Sequence, residues 1–213
     1  MVERQIMTVD VTDRDILDAM GELPRELFVP AEVRELAYSD ADLPLTSSGP
    51  GGLGRLLIAP ATLARLVQLA APRQGDIVLD IGCGSGYSSA VLAHLVSSVV
   101  AVEDDPALVA KATETLIELD IGNVAVVSGA PSEGYPAEGP YDVIFLGGSV
   151  AEVPGALLDQ LKEDGRLVAI VGTGPDGMAV CFRRVGGAVS QRPAFSAAAP
   201  PIPGFNKPKL FQF

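Results

Sequence analysis

The sequence predicts an α/β fold: a doubly wound, mostly parallel seven-stranded sheet with an N-terminal helical extension and a C-terminal antiparallel hairpin. Three observations carry that prediction. Five short runs rich in Val, Ile and Leu are apolar without alternation, as strands buried on both faces must be. Segments with helical spacing of apolar residues lie between most of them and supply the crossovers that parallel strands need. The last two strand-like runs are separated only by Val185, Gly186 and Gly187, which reads as a hairpin.

The elements follow in order. From "VTDRDILDAMGEL" through "PRELFVPAEVRELAY" apolar residues recur at helical spacing, Thr12 stands where an N-cap belongs, and prolines punctuate short helices. The run "SDADLPLTSSGPGGLG" crowds Ser, Pro and Gly without periodicity and reads as a mobile loop. A helix resumes at "APATLARLVQLA". Then come strand "DIVLDIG", helix "YSSAVLAHL", strand "SVVAVED", helix "PALVAKATETLIEL", strands "NVAVVSG" and "YDVIFLGG", helix "EVPGALLDQLKE" and strand "GRLVAIVG". "MAVCFRRVGGAVSQRPAF" forms the hairpin. The closing "SAAAPPIPGFNKPKLFQF" holds too much proline for regular structure, so it is expected to dock on the protein's own core, with Phe211 and Phe213 able to reach a sheet edge.

Composition bounds the function. A chain of 213 residues suits one α/β domain with a small appendage. No uncharged apolar stretch of about 18 residues could span a bilayer, and the N-terminus lacks the apolar core of a secretory leader. A cytoplasmic protein with no membrane partner is expected. Cys83, Cys181 and the single His94 offer neither a metal-ligand cluster nor a disulfide framework. A net charge of −12 argues against nucleic acid, whose phosphates need clustered Lys and Arg. The acidity itself reads as solubility.

Chemistry concentrates in "VLDIGCGSGYSSA", residues 78–90. A glycine turn at the carboxyl end of a first parallel strand is where doubly wound folds bind ligands. The dinucleotide fingerprint is G-x-G-x-x-G, whereas Gly82, Gly84 and Gly86 run G-x-G-x-G directly after Asp80. An acid there repels a pyrophosphate and attracts an ammonium group. The next strand ends on Glu103, 17 residues after Gly86, where a carboxylate can accept from both hydroxyls of a ribose. Tight packing alone explains Gly82 or Gly86 singly and leaves both acids unexplained. The combination favours S-adenosylmethionine over a nicotinamide or flavin cofactor.

"VLDIGCGSGYSSAVLA" resembles the cofactor signature of Rossmann-like class I methyltransferases, and Tyr87 after the last glycine resembles the version found in the protein-L-isoaspartate O-methyltransferase family. "MVERQI", "PRELFVP", "LAYSDADLPL", "YDVIFLGGS" and "VPGALLDQLKEDGRLVAIVG" resemble that family in order and spacing. The resemblance implies methyl transfer to the free α-carboxylate of isoaspartyl residues in damaged proteins or peptides. It implies a helical segment and substrate-side loop over residues 1–60, a cofactor domain over 61–195 and a packed tail over 196–213. The cofactor is implied to meet Asp80, Gly82, Cys83, Gly84, Ser85, Gly86, Tyr87, Glu103, Asp104, Gly129 and Ala130. Oligomeric state is left open.

Two departures from the family stand out. Its substrate loop ends in Thr-Ile-Ser-Gln-Pro, but this chain has "LLIAP", with Leu56, Ile58 and Ala59 in place of the polar residues. Ile58 stands where the family has Ser. After the third strand the family's adenine-contacting acid is Ala130, following Gly129. No catalytic residue is assigned, and Arg55 is the candidate to hold an acceptor carboxylate as a bidentate fork. Another acceptor, or cofactor binding without catalysis, is the alternative.

Overall fold

A computed structural model describes residues 1–46, 54–172 and 174–205. The expected loop tip at 47–53, Phe211 and Phe213 therefore lie outside the described residues. A seven-stranded sheet forms the centre, built from β3 (Ile77–Ile81), β4 (Ser98–Glu103), β5 (Val124–Ser128), β6 (Tyr141–Val150), β7 (Leu161–Val171), β8 (Met178–Val185) and β9 (Ala188–Ser196). Their spatial order is β5-β4-β3-β6-β7-β8-β9, and the first five strands in that order run parallel. The last two pair antiparallel. This is the expected doubly wound class, and the chain reverses its direction of travel across the sheet between β3 and β6.

Strand residues alternate between two apolar layers. Val78, Val143, Phe145 and Val168 join one, together with Ile6, Phe28, Leu66 and Val91. Leu79, Ile144, Leu146 and Leu167 join the other with Leu157, Ile202 and Phe205. Helices α2 (Pro60–Ala70), α3 (Tyr87–Ala93) and α4 (Pro106–Glu118) lie where the apolar spacing predicts them. Pro60 opens α2 at its first turn, where its missing N–H costs no helical bond. Gly186 and Gly187, with φ of 60° and 75°, make the β8–β9 turn with the twist a tight hairpin prefers.

Three expectations are corrected. The N-terminal preface contains one α-helix, α1 (Arg14–Glu22), and otherwise tighter or wider single turns at Val2–Ile6, Met7–Val9, Arg25–Phe28 and Ala31–Leu36. The cap of α1 is Asp13, whose carboxylate accepts from the amides of Asp15 and Ile16, while Thr12 gives its amide to Gln68 Oε1. The helix read from "EVPGALLDQLKE" is reduced to α5 (Gly155–Leu158). Its continuation is drawn away because Gln160 bonds the Glu133 carbonyl and Tyr135 amide, and Tyr141 donates to the Gln160 carbonyl.

Two short pieces frame the site. β1 (Leu43–Pro44) and β2 (Leu56–Leu57) pair antiparallel, bracketing residues 45–55. The tail crosses the carboxyl end of β6, where the Ser149 amide donates to the Pro200 carbonyl and the Ile202 amide to the Ser149 carbonyl. A Cβ on Gly82 would lie 3.0 Å from the Ile202 side chain, and one on Gly148 2.7 Å from it. Ile202 and Phe205 of the described tail are buried against the second apolar layer of the core.

Candidate functional site

The glycine turn leaves β3 and enters α3 beneath these two covers. Gly84 has φ of +56°, and a Cβ there would stand 2.8 Å from the Leu45 side chain. Gly86 has φ of +92° and fits against Ala112 of α4, 3.1 Å from where its Cβ would be. Gly84 therefore faces the cavity and Gly86 faces the core. The amides of Gly82 and Cys83 both reach the Val102 carbonyl of β4, which ties the turn to the neighbouring strand.

Asp80 and Glu103 are fully buried carboxylates at the tips of adjacent strands. Asp80 Oδ2 accepts from the hydroxyls of Ser88 at 2.7 Å and Ser89 at 2.6 Å, whereas its Oδ1 finds no partner. Burial pushes this carboxyl up to about 6, against the two serine hydrogen bonds that pull it down. Glu103 Oε2 accepts from the Gly84 amide at 2.9 Å, and Oε1 accepts from the amides of Asp104 and Asp105. Burial raises the Glu103 pKa, and the charge of Arg55 opposes it.

Arg55 is placed differently from the sequence expectation. Its Nη2 bonds both Glu103 and Asp104, so the guanidinium sits on the acids at the end of β4 and not beside a free acceptor position. Two carboxylates, one buried and one half-exposed, outcompete solvent for it. The remaining turn residues divide by burial. Cys83 is buried with its thiol pushed well up by desolvation, and the buried Ser85 hydroxyl has no partner. Tyr87 is in the core, its ring edge-on to Phe28 at 5.2 Å, so its side chain packs away from the turn's open side. Gly129 donates its amide to the Glu103 carbonyl at 3.0 Å, bringing Ala130 to the same strand end.

The wall beside Ile58 is apolar. Leu45, Leu56, Leu57 and Ile58 press against Gly82, Cys83 and Gly84 around a cavity of about 20 Å³, little more than one water. Ile58 is buried, and its carbonyl accepts from Arg25 Nη2 at 2.7 Å. Sequence reading missed Arg25. It is fully buried, donates Nε to the Ala37 carbonyl at 2.9 Å and lies 4.5 Å above the Tyr87 ring. Its flanking apolar residues and prolines were the only local signal. Asp42 adds a second clamp by accepting the Ala59 amide.

Among the described residues no group of three His, Cys, Asp or Glu side chains could hold a metal ion, and no helix is long and apolar enough to cross a membrane.

Comparison with known proteins agrees with this geometry. The protein-L-isoaspartate(D-aspartate) O-methyltransferase family profile matches residues 1–201. Protein-L-isoaspartate O-methyltransferase 2 of Anaeromyxobacter sp. (strain Fw109-5) is 41% identical over 177 residues, covering 83% of this chain and 70% of that protein. The protein-L-isoaspartate O-methyltransferase of Methanoculleus marisnigri is 41% identical over 172 residues, covering 81% and 76%. A solved protein-L-isoaspartate O-methyltransferase superposes with a TM-score of 0.82 at 28% identity, covering 96% of this chain and 66% of that one. A Plasmodium falciparum beta-aspartate methyltransferase structure in complex with S-adenosyl-L-homocysteine gives 0.75 at 21% identity, covering 92% and 94%, and shows the shared fold.

Proposed function

This chain belongs to the protein-L-isoaspartate(D-aspartate) O-methyltransferase family, and from that premise we propose that it methylates the free α-carboxylate of isoaspartyl residues in damaged proteins. S-adenosylmethionine supplies the methyl group, as an electrophilic carbon on sulfur. The observation that carries this reading is Asp80, a buried carboxylate with one unpartnered oxygen beside the glycine turn. An uncompensated buried acceptor is costly, and an ammonium group is a fitting donor for it.

The residues present fit the cofactor. Asp80 would hold the ammonium end, Glu103 would accept from the ribose, and the turn at Gly82 and Gly84 offers backbone where side chains would obstruct. The ends of Leu45 and Ile202 must turn aside. Ala130 provides no side-chain acceptor for adenine, so that end rests on backbone and apolar contacts. An isoaspartyl carboxylate, with a reference pKa near 4, is already ionised at neutral pH and needs no general base. Alignment is the protein's contribution, and well-oriented systems gain about 7–11 kcal/mol from it.

Arg55 changes partners in this scheme. With cofactor bound, Glu103 would exchange its Arg55 contact for the ribose, and the freed Arg55 fork would be available to an acceptor carboxylate, for which the Leu56–Ile58 stretch offers no hydroxyl. A cytoplasmic location accompanies the reading, and the charge of −12 speaks against a nucleic-acid partner.

The test is transfer of labelled methyl groups to an isoaspartyl peptide and to its aspartyl counterpart. Selective labelling of the isoaspartyl peptide is expected. Calorimetric cofactor binding with no label in either peptide would move the chain to another acceptor or to binding alone, a reading the apolar wall at Ile58 favours.

A further inference from the structure

At the end of the sheet opposite the glycine turn, four arginines converge on one concavity of about 680 Å³. The strand register explains three of them. Arg166 of β7 is the direct partner of Arg183 on β8, which is opposite Ser190 of β9. In the next row on the same face, Cys181 stands opposite Arg192. The fourth, Arg73, comes from the segment between α2 and β3.

Like charges directly opposite on neighbouring strands destabilise a sheet, so this grouping runs against the fold's own interest. It also runs against composition, because four of 15 Lys and Arg gather here in a chain of net charge −12. Two carboxylates offset part of the charge: Asp76 pairs with Arg166 at 2.7 Å and Asp164 with Arg183 at 3.1 Å. Arg73 and Arg192 are exposed, and among the described residues neither guanidinium makes a hydrogen bond or ion pair. Two free planar forks, Arg73 and Arg192, and the partly committed Arg183 face the same space, whereas Arg166 is spent on the Ala70, Ala71 and Asp142 carbonyls and on Asp76 and adds only its charge. Guanidinium forks match phosphate oxygens bidentately. Among the described residues no aromatic ring lines the concavity, so none of them there stacks on a base.

We propose that this concavity is a binding site for a linear polyphosphate group, carried by inorganic tripolyphosphate or by a nucleoside triphosphate. Recognition is through the phosphates alone. The site is separate from the glycine turn, so it stands or falls independently of methyl transfer.

Calorimetry on the full chain at low salt tests it, since exposed charges are screened as salt rises. Tripolyphosphate and ATP should bind with similar affinity, orthophosphate about tenfold or more weakly, and saturating S-adenosylhomocysteine should leave these values unchanged. The double variant Arg73→Ala/Arg192→Ala, with an unaltered thermal transition, should lose about tenfold or more, while Arg34→Ala on a distant turn retains binding. Absence of tripolyphosphate binding overturns the proposal, as does an unaffected double variant. ATP binding much more tightly than tripolyphosphate, competition by S-adenosylhomocysteine, or equal competition from a hexaglutamate peptide would each overturn it too.

Discussion

Arg25 Nη2 donates to the carbonyl of Ile58 at 2.7 Å, and the same guanidinium lies over Tyr87, the residue that opens α3 just after the glycine turn. One buried cation therefore fixes the apolar wall at Ile58 relative to the glycine turn. Arg25→Met keeps much of the volume and removes both donors, leaving the Ala37 and Ile58 carbonyls unpaired. A loss of about 2–4 kcal/mol in denaturant unfolding is expected, with Arg25→Lys recovering part of it. Equal stability of the Met variant would show that the clamp contributes little.

Glu103→Gln should weaken S-adenosylhomocysteine binding by about 1.5–3 kcal/mol, the range for a hydrogen bond to a charged group. Arg55→Ala should act in the opposite direction on affinity. Removing the guanidinium that holds Glu103 tightens the cofactor, while transfer to isoaspartyl peptide slows. Titration calorimetry and methyl-transfer rates separate the two effects, and weaker cofactor binding by Arg55→Ala would refute the exchange of partners.

Asp80 gives a pH prediction with a fixed sign. Its folded pKa is raised to about 6, so the carboxylate that attracts an ammonium group is depleted as pH falls through 6. Cofactor affinity should rise with pH across that window and then level off, with proton release on binding near pH 6. For stability the sign is reversed: the raised acid contributes fully below its unfolded pKa near 4, and that contribution is lost as pH climbs through about 6. Asp80→Asn should therefore be more stable at pH 7.5, by up to about 3 kcal/mol, and bind cofactor poorly with no pH step. A variant that keeps the step would place the titrating group elsewhere.

Ile58→Ser restores a hydroxyl to the wall. Methyl transfer to isoaspartyl peptide should accelerate about tenfold for each 1.36 kcal/mol of transition-state stabilisation gained. Ile58 is buried, so a lower melting temperature should accompany the gain. A destabilised variant with an unchanged rate would mean that the hydroxyl does not reach the acceptor.

The sheet was legible because its information is local: apolar runs without alternation at β3, β4 and β6 and an uninterrupted Gly186–Gly187 turn. Asp80, the glycines and Glu103 were legible for the same reason, since strand tips and their turns are read from short spacings. What lay hidden depends on distant partners. Arg55 meets Glu103 across 48 residues, and nothing in "GLGRLLIAP" announces that pairing. Arg25 breaks the rule that charge stays outside, because two carbonyls and a tyrosine face partner it in the core, although its Nη1 has no hydrogen-bond partner. The shortening of α5 is similar: helical spacing continues through Gln160, but its side chain bridges to Glu133 and Tyr135 and pulls the chain into the sheet.

Ile202 has a consequence for how the protein is made. Its side chain fills the space that Gly82 and Gly148 leave by lacking Cβ atoms, so one wall of the site is contributed 120 positions after the turn it covers. A ribosome adding about 5–20 residues each second makes the turn several seconds before that isoleucine, whereas the last strand ends at Ser196, only six residues ahead of it. The nascent chain thus passes through an interval in which the glycine turn and the parallel strands β3 to β7 exist with only the Leu45 side of the cleft covered, and the Ile202 side is added after β9.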